Sequence, residues 1–231
     1  MSTRMVEVRA KVMKQNDLLA HALRERFQQR NTCVVGLVSS PGSGKTAFLE
    51  KLLAGLARNH SVAALVGDLA TENDAARLQR ATPNVKQITT GTICHLDASM
   101  IERALEDWDL DIIDFLFIEN VGNLVCPSSY DLGEELRLVL LSATEGEDKP
   151  LKYPTIFNSS DVAIITKMDM AAAAEFDLAA ARRNIESVRP GMKIFEISSK
   201  TGLGMDEVFS FLHAQLAHPR ISASIVEEAA L

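Results

Sequence analysis

The hydrophobic positions of the chain fall into short apolar runs and longer segments of helical periodicity. Apolar runs typical of buried strands lie at residues 33–38, 61–67, 85–89, 112–118, 161–166 and 193–198. Segments with apolar residues at helical spacing lie at residues 4–29, 46–58, 96–108, 173–188 and 204–217. Because strands alternate with helices, the pattern predicts an α/β fold, a doubly wound and mostly parallel sheet with helices on both faces.

The first helical segment stands apart from this alternation and is amphipathic. We therefore divide the chain into an N-terminal helical extension at 1–30, one α/β domain at 31–218 and a C-terminal tail without clear periodicity at 219–231. Ser99 and Glu102 have the spacing of a capping box near the start of the predicted helix at 96–108. The pattern does not decide whether the N-terminal helix covers the sheet or docks a partner.

Composition narrows the class of protein. Of 231 residues, 47% are hydrophobic, which is ordinary for a globular chain, and no apolar run approaches the roughly 18 residues of a membrane span. The net charge of −7 argues against a nucleic-acid partner, which would require a basic face. We expect a cytoplasmic protein without a secretory signal. Its three cysteines cannot form a closed disulfide framework.

A phosphate-binding loop is predicted at residues 39–46, directly after a strand and at the start of a helix. Gly42, Ser43 and Gly44 would turn backbone N–H groups toward phosphate oxygens, aided by the helix N-terminus. Lys45 would reach the β- and γ-phosphates, and the Thr46 hydroxyl would bind Mg²⁺. Ser at position 39 replaces the usual Gly, where only a tight exit from the strand is needed.

The segment at 166–169, Thr-Lys-Met-Asp, ends a predicted strand and resembles the guanine-recognition element of GTPases. Asp169 would accept two hydrogen bonds that guanine offers and adenine lacks, and Lys167 would cover the base. Ser199 and Lys200 follow the next strand and resemble the last GTPase element. Thr166 departs from the usual Asn. The two elements, in this order at strand ends after a phosphate loop, favour GTP over ATP.

Three further residues predict the magnesium and switch positions. Asp68 and Glu119 each end a predicted strand, where an acidic side chain can approach Mg²⁺. Asp68, Glu119 and Lys45 are the candidate catalytic residues. Gly122 follows Glu119 at the spacing of the second GTPase switch, with Glu in place of Asp. Its N–H would contact the γ-phosphate and lose that contact on hydrolysis.

Cys94, His95 and Cys126 are candidate ligands for Ni²⁺ or Zn²⁺, because thiolate and imidazole suit both ions. Cys33 lies within an apolar strand and is interpreted as a core residue. Adjacent side chains usually point apart, and three ligands are too few for a closed tetrahedral site. Both points favour a site shared across a two-fold dimer interface. The alternative is a single open position completed by water.

Five segments together resemble the HypB family of hydrogenase-maturation, nickel-insertion GTPases. They are Ser-Ser-Pro-Gly-Ser-Gly-Lys-Thr at 39–46, Gly-Asp-Leu-Ala-Thr at 67–71, Cys-His-Leu-Asp-Ala at 94–98, Ile-Glu-Asn-Val-Gly-Asn-Leu-Val-Cys-Pro at 118–127 and Tyr-Asp-Leu-Gly-Glu at 130–134. The resemblance covers most of 30–217. It implies a P-loop fold, slow GTP hydrolysis to GDP, a homodimer in the GTP-bound form and nickel or zinc at the Cys/His positions.

The same resemblance implies nickel delivery to the large subunit of a [NiFe]-hydrogenase together with a HypA-type chaperone. Many members carry an N-terminal His-rich stretch or Cys cluster, whereas the first His here is His21 and the first Cys is Cys33. We therefore expect no independent N-terminal nickel site. Alternatives are a urease-type accessory GTPase, whose Cys-Pro-His motif reads Cys-Pro-Ser here, a metal-sensing module with negligible turnover, or a small-molecule kinase, for which no Arg-rich lid is visible.

Overall fold

The computed structural model describes residues 3–69 and 73–217, and within them the chain forms one seven-stranded sheet. The strands are Cys33–Ser39 (β1), Val62–Asp68 (β2), Val85–Thr89 (β3), Phe115–Glu119 (β4), Leu136–Ser142 (β5), Val162–Thr166 (β6) and Lys193–Glu196 (β7). Their order is β3-β2-β4-β1-β5-β6-β7, and each neighbouring pair is parallel. All carboxyl ends therefore meet at one edge, where ligands of open α/β sheets bind.

The helices are Thr3–Gln29 (α1), Lys45–Leu56 (α2), Asn73–Leu78 (α3), Ala98–Ala104 (α4), Lys149–Lys152 (α5), Pro154–Asn158 (α6), Leu178–Val188 (α7) and Met205–Ala217 (α8). Helices α2 and α8 pack on one face of the sheet, where Leu52 and Leu212 are fully buried. Helices α1, α4 and α7 pack on the other face. The predicted doubly wound α/β fold is thus confirmed. Among the described residues, no helix combines the length and apolar character that a membrane span requires.

Helix α1 covers the sheet face next to β1 and β4. Ala20, Leu23 and Phe27 lie in one apolar cluster with Val34 and Leu116 and are almost completely buried. This stripe at helical spacing explains why the amphipathic segment folds onto the sheet. The predicted tail at 219–231 lies outside the described residues, and the division into three regions stays a prediction.

Several predicted elements differ from the structure. The strand β5, with its sequence Leu-Arg-Leu-Val-Leu-Leu-Ser, was not predicted although it lies beside β1 in the centre of the sheet. The helices α3, α5 and α6 were also missed. The helix predicted at 96–108 is shorter, and its N-cap is Asp97, whose carboxylate accepts from the Met100 N–H. The predicted capping box at Ser99 is therefore wrong, because Asp97 already takes the cap position. The strand predicted from 112 begins at 115, after a 3₁₀ turn over Leu110–Ile112.

Candidate nucleotide and metal site

The phosphate loop runs from the end of β1 to the start of α2 and contains two residues in the left-handed region. Gly42 has φ 74° and Gly44 has φ 96°, a backbone conformation that side chains with a Cβ rarely adopt. Gly44 is also the N-cap of α2, so the free N–H groups in the first turn of that helix face the loop. The local geometry therefore matches the anion-binding turn that the sequence predicts.

Lys45 begins α2 and is almost completely buried. Its ammonium donates to Ser39 Oγ at 2.9 Å, and Ser43 Oγ also donates to that hydroxyl. Ser39 thus does more than provide a tight exit from β1, because its hydroxyl holds the lysine in the loop. Burial lowers the pKa of Lys45 from its ordinary value, and the negative charge of Glu119 opposes that shift.

The candidate magnesium residues line a cleft of about 430 Å³ beside the loop. Thr46 Oγ1 donates to Glu119 Oε1 at 2.8 Å, and Asp68 at the end of β2 lines the same cleft. The second carboxylate oxygen, Glu119 Oε2, is buried with no hydrogen-bond partner. Burial raises the pKa of Glu119 to about 7, while Lys45 and the Thr46 hydrogen bond oppose the shift. A buried acceptor without a donor, beside a lysine and an anion-binding turn, fits a phosphate-bound cation.

Two charged residues of the cleft were not predicted from the sequence. Asp74 in α3 lines the cleft and adds negative potential that raises the pKa of Glu119. Arg77 also lines it, and its guanidinium is paired with Glu50 in α2 at 2.6 Å. The short helix α3 carries both residues, and no apolar periodicity marked that helix in the sequence.

Gly122, the predicted γ-phosphate sensor, packs directly against the phosphate loop. A Cβ at this position would lie 2.9 Å from Pro41 Cα and 3.0 Å from Pro41 N, closer than real Cβ contacts. Only glycine allows this approach. The segment after β4 is therefore seated on the loop that would hold the nucleotide.

The residues predicted to recognise guanine contact the phosphate loop from its other side. The Thr166 hydroxyl donates to the Ser43 carbonyl at 2.6 Å, and Lys167 Nζ donates to the Gly42 carbonyl at 2.7 Å. Asp169 accepts from Ser198 Oγ at 2.6 Å and is exposed. Thr166 thus connects β6 to the loop despite its departure from Asn. Ser199 and Lys200 follow at the end of β7, half-buried and exposed respectively.

The predicted metal ligands converge within one chain. The ligand atoms of Cys94, His95 and Cys126 all lie within 4.8 Å of one another, and the two Sγ atoms are 2.9 Å apart. That separation exceeds the roughly 2.05 Å of a disulfide bond, so Cys94 and Cys126 are not disulfide-bonded to each other. The expectation that adjacent side chains diverge is therefore wrong for Cys94 and His95, because the loop before α4 turns both toward Cys126. Cys33 is completely buried in β1, as interpreted.

His95 is held by an aromatic neighbour that the sequence did not reveal. Its ring stacks on Tyr130 with centroids 3.9 Å apart and an interplanar angle of 26°. Its Nδ1 is buried without a hydrogen-bond partner, and burial lowers the pKa of His95. A neutral imidazole with an unpaired nitrogen beside two thiols has the donor set that a soft divalent metal binds.

Helix α1 supports the loop that carries Cys94 and His95 and the turn that follows Cys126. Asn16 is 8% exposed, and its Oδ1 accepts from the Ala98 N–H while its Nδ2 donates to the Asp131 carbonyl, each at 2.9 Å. Arg24 donates to the Asp131 carboxylate at 2.6 Å. The helix therefore supports the candidate metal site as well as covering the sheet.

Comparison with known proteins assigns the chain to a family. Residues 33–196 match the family model described as the CobW/HypB/UreG nucleotide-binding domain. The chain is 44% identical over 216 residues to the hydrogenase/urease maturation factor HypB of Helicobacter hepaticus, covering 92% of this chain and 88% of the relative. The chain belongs to the HypB family.

Other HypB proteins are similar over most of the chain. The hydrogenase maturation factor HypB of Escherichia coli is 44% identical over 212 residues, covering 92% of this chain and 73% of the relative. The solved structure of HypB from Helicobacter pylori in complex with nickel is 43% identical with a TM-score of 0.83, covering 88% of this chain and 95% of that chain. HypB from Archaeoglobus fulgidus is 37% identical with a TM-score of 0.82, covering 88% and 99%.

This HypB-family chain therefore carries a nucleotide-binding domain, with the predicted phosphate, magnesium and metal residues at the carboxyl edge of its sheet. The individual roles assigned to these residues stay predictions.

Proposed function

We propose that this chain is a GTP-dependent metallochaperone that inserts nickel into [NiFe]-hydrogenase and hydrolyses GTP slowly to GDP. One observation carries the proposal. Cys126 lies on the same short segment as Gly122, and that segment contacts the phosphate loop at Pro41 and the Cys94 thiol at its other end. A change at the γ-phosphate would therefore alter the metal site, and metal affinity and nucleotide state would be linked by the same factor in both directions.

Guanine selection is assigned to Asp169, with Lys167 beside the base. The αL backbone of Lys167, φ 56°, lets its side chain return to the Gly42 carbonyl while Asp169 stays exposed at the strand end. Ser198 donates to one carboxylate oxygen and fixes its orientation. Ser199 and Lys200 complete the base site.

Mg²⁺ would be held by Thr46, Asp68 and Glu119, and when bound it would neutralise charge on the β- and γ-phosphates. Lys45 would add a second positive charge at the same oxygens. Slow hydrolysis is supported by Arg77, since this cleft-lining guanidinium is held by Glu50. A GTPase without an arginine finger turns over at about 10⁻⁴ s⁻¹, a rate suited to a timing switch.

The cargo is Ni²⁺, with Zn²⁺ as an ion that the same ligands accept. Three ligands from one chain leave a coordination position that a second copy or water could fill. Two exposed apolar side chains favour completion of the site by a second copy. Ile93, which precedes Cys94, is 40% exposed, and Val125, which precedes Cys126, is 61% exposed. Exposed apolar side chains beside a metal site suit a protein interface. We propose a homodimer in the GTP-bound form, a HypA-type nickel chaperone as partner and the hydrogenase large subunit as recipient.

A second candidate function is nickel delivery to urease. The Helicobacter hepaticus relative is named a hydrogenase/urease maturation factor, and the HypB family shares its model with UreG. Against a UreG-type site, position 128 is Ser, where that motif has His. A metal-sensing module with negligible turnover would use the same residues and differ only in rate.

The test compares two variants with their matched controls. Lys45→Ala removes the phosphate-binding ammonium and should abolish binding of GDP and of a GTP analogue, whereas Lys51→Ala, an exposed lysine on the same helix, should not change it. Unchanged GTP affinity in Lys45→Ala would refute the phosphate-site assignment.

The metal assignment is tested by titrating Ni²⁺ into thiol variants. Cys126→Ala should lose stoichiometric nickel and keep nucleotide binding, because its thiol is 2.9 Å from Cys94 Sγ and outside the cleft. Cys33→Ala, in β1, should keep the wild-type nickel stoichiometry. Intact stoichiometry in Cys126→Ala would disprove the switch-thiol mechanism.

A further inference from the structure

Two asparagines join the segment after β4 to the loop that carries Cys94 and His95. Asn120 is 2% exposed, and its Oδ1 accepts from the Leu96 N–H at 3.0 Å and from the Val121 N–H at 2.9 Å. Asn123 Nδ2 donates to the Cys94 carbonyl at 3.3 Å, and its Oδ1 accepts from the Val125 N–H at 2.8 Å. Each asparagine thus bonds its own segment and the metal-ligand loop at once.

Asn120 lies between the two nucleotide-facing positions of its segment. Glu119 precedes it, Gly122 follows two residues later, and the Asn120 N–H donates to the Leu37 carbonyl of β1 at 3.0 Å. A displacement at Gly122 on loss of the γ-phosphate contact would therefore turn the Asn120 side chain about a backbone that is held to β1.

The loop that carries Cys94 and His95 is tightly packed. Leu96 is completely buried, and a Cβ on Gly67 would lie 2.8 Å from its Cγ, so Leu96 is wedged against the end of β2. Among the described residues, the hydrogen bond to Asn120 Oδ1 is the only one that the Leu96 N–H makes. A buried N–H without an acceptor is costly, so the loop follows Asn120 when the segment moves.

We propose that Asn120 is the positioning residue that transmits the nucleotide state to Cys94 and His95, with Asn123 as a weaker second link. The inference rests on the proposed nucleotide-gated metal site and adds to it. Cys126 moves with the switch because it belongs to the same segment. Asn120 makes the other two ligands move as well, so all three are repositioned together.

The residue type suits this task. An amide oxygen has two lone pairs and can accept from both N–H groups, which neither leucine nor alanine can do. An aspartate would also accept both, but it would add a negative charge beside Glu119, whose carboxylate is already unfavourably buried. Asparagine gives the link without charge.

The experiment measures the affinity of the full chain for Ni²⁺ in the presence of Mg²⁺ with GDP and with a non-hydrolysable GTP analogue. The readout is the ratio of the two dissociation constants, which a merely structural residue would not change. For the wild type we expect a ratio on the order of 5–150, the usual range of coupling between two sites. In Asn120→Ala we expect the ratio to fall by more than about threefold toward one, leaving the coupling carried by Cys126 and Asn123, with the GDP-state affinity reduced by less than about tenfold.

Asn16→Ala is the matched control. Asn16 is also buried and also bonds the loop after Cys94, but it comes from α1. Its hydrogen bonds go to the Ala98 N–H and the Asp131 carbonyl and not to residues 120–126, the segment that joins Asn120 to Cys126. Its loss should weaken Ni²⁺ binding equally in both nucleotide states and leave the ratio unchanged. Asn123 is half-buried, and Asn123→Ala is the variant to measure if Asn120→Ala does not fold. It should lower the ratio at least twofold.

The outcomes separate the two claims. A wild-type ratio of one would refute nucleotide-gated metal binding and the role of Asn120 with it. A wild-type ratio well above one that Asn120→Ala preserves would refute the role of Asn120 alone, as would an unchanged ratio in Asn123→Ala if only that variant folds. Equal loss of the ratio in Asn16→Ala would show that any loosening of the loop suffices, and would also overturn the specific role of Asn120.

Discussion

Thr166→Val tests how β6 holds the phosphate loop. Thr166 is 2% exposed, and its hydroxyl donates to the Ser43 carbonyl at 2.6 Å. Valine has nearly the same shape, so the change removes the donor and leaves the packing in place. The Ser43 carbonyl then lacks the hydroxyl that fixes the loop on which the phosphate would rest.

The magnitude follows from the buried hydrogen bond. Leaving a buried acceptor unsatisfied costs about 1–3 kcal/mol of folding free energy. At this chain length, 1 kcal/mol corresponds to a fall in Tm of roughly 2–4 °C. Part of the same free energy is needed to restore the loop before nucleotide binds, and each 1.4 kcal/mol is tenfold in affinity. We therefore expect GDP affinity to fall by about 3–10-fold.

The assay is thermal unfolding together with calorimetric titration of GDP, and Thr32→Val is the control. Thr32 is equally buried and donates to the Leu110 carbonyl at 3.1 Å, ahead of β1 and at the opposite edge of the sheet from the phosphate loop. It should lose a similar amount of stability and keep wild-type GDP affinity. Wild-type GDP affinity in Thr166→Val, or an equal loss in both variants, would show that the Thr166 hydroxyl does not hold the phosphate loop for nucleotide binding.

Three further predictions concern the switch, the cleft and the metal site. Gly122→Ala forces a Cβ to 2.9 Å from the phosphate-loop backbone. Affinity for a GTP analogue should therefore fall about tenfold or more, and GDP affinity should fall less. Equal losses of the two affinities would contradict the assignment of Gly122 to the γ-phosphate. Because burial raises the pKa of Glu119 to about 7, the nucleotide-free folded state binds more protons than the unfolded state between pH 4.5 and 7, and stability falls as pH rises through that window. Glu119→Gln should therefore stabilise the nucleotide-free protein at pH 8, by up to about 3 kcal/mol, and have little effect near pH 4.5. The measurement is denaturant unfolding of both proteins at several pH values. A difference in unfolding free energy that does not change with pH would contradict the raised pKa of Glu119. Tyr130→Leu removes the ring stacked on His95 and should weaken Ni²⁺ binding by about 2–10-fold in a competition titration, whereas unchanged affinity would show that the stack is incidental.

The sequence was most informative where function depends on local backbone geometry. The phosphate loop is a strand, a turn with two left-handed glycines and a helix, and each part leaves a local signature around Gly42 and Gly44. Parallel strands also bring their carboxyl ends together, which is why Glu119 and Asp169 could be assigned to one edge from their positions in sequence.

Other features depend on contacts between distant residues and leave no local pattern. Tyr130 stacks on His95 across 35 positions of sequence, and Asn120 reaches Leu96 across 24. Nothing in the local sequence marks Tyr130 or Asn120 as the residue that makes such a contact. The central strand β5 was missed for another reason, since its apolar run contains Arg137, which is accommodated by a buried ion pair with Glu134.

The convergence of Cys94 and His95 is a case in which a general rule failed. Adjacent side chains usually diverge, but the turn before α4 and the stacking of His95 on Tyr130 bring both ligand atoms toward Cys126. The rule describes an isolated backbone, whereas the loop here is fixed by Asn16, Asn120 and the cap at Asp97.

We propose that the nucleotide state controls the site formed by Cys94, His95 and Cys126. The most direct measurement is Ni²⁺ binding by the wild-type protein with GDP and with a non-hydrolysable GTP analogue, together with its mass in solution. We expect different nickel affinities in the two states and a dimer with the GTP analogue. Identical affinity and stoichiometry in both states would contradict it and would leave a nucleotide-binding protein whose metal site is independent of the switch.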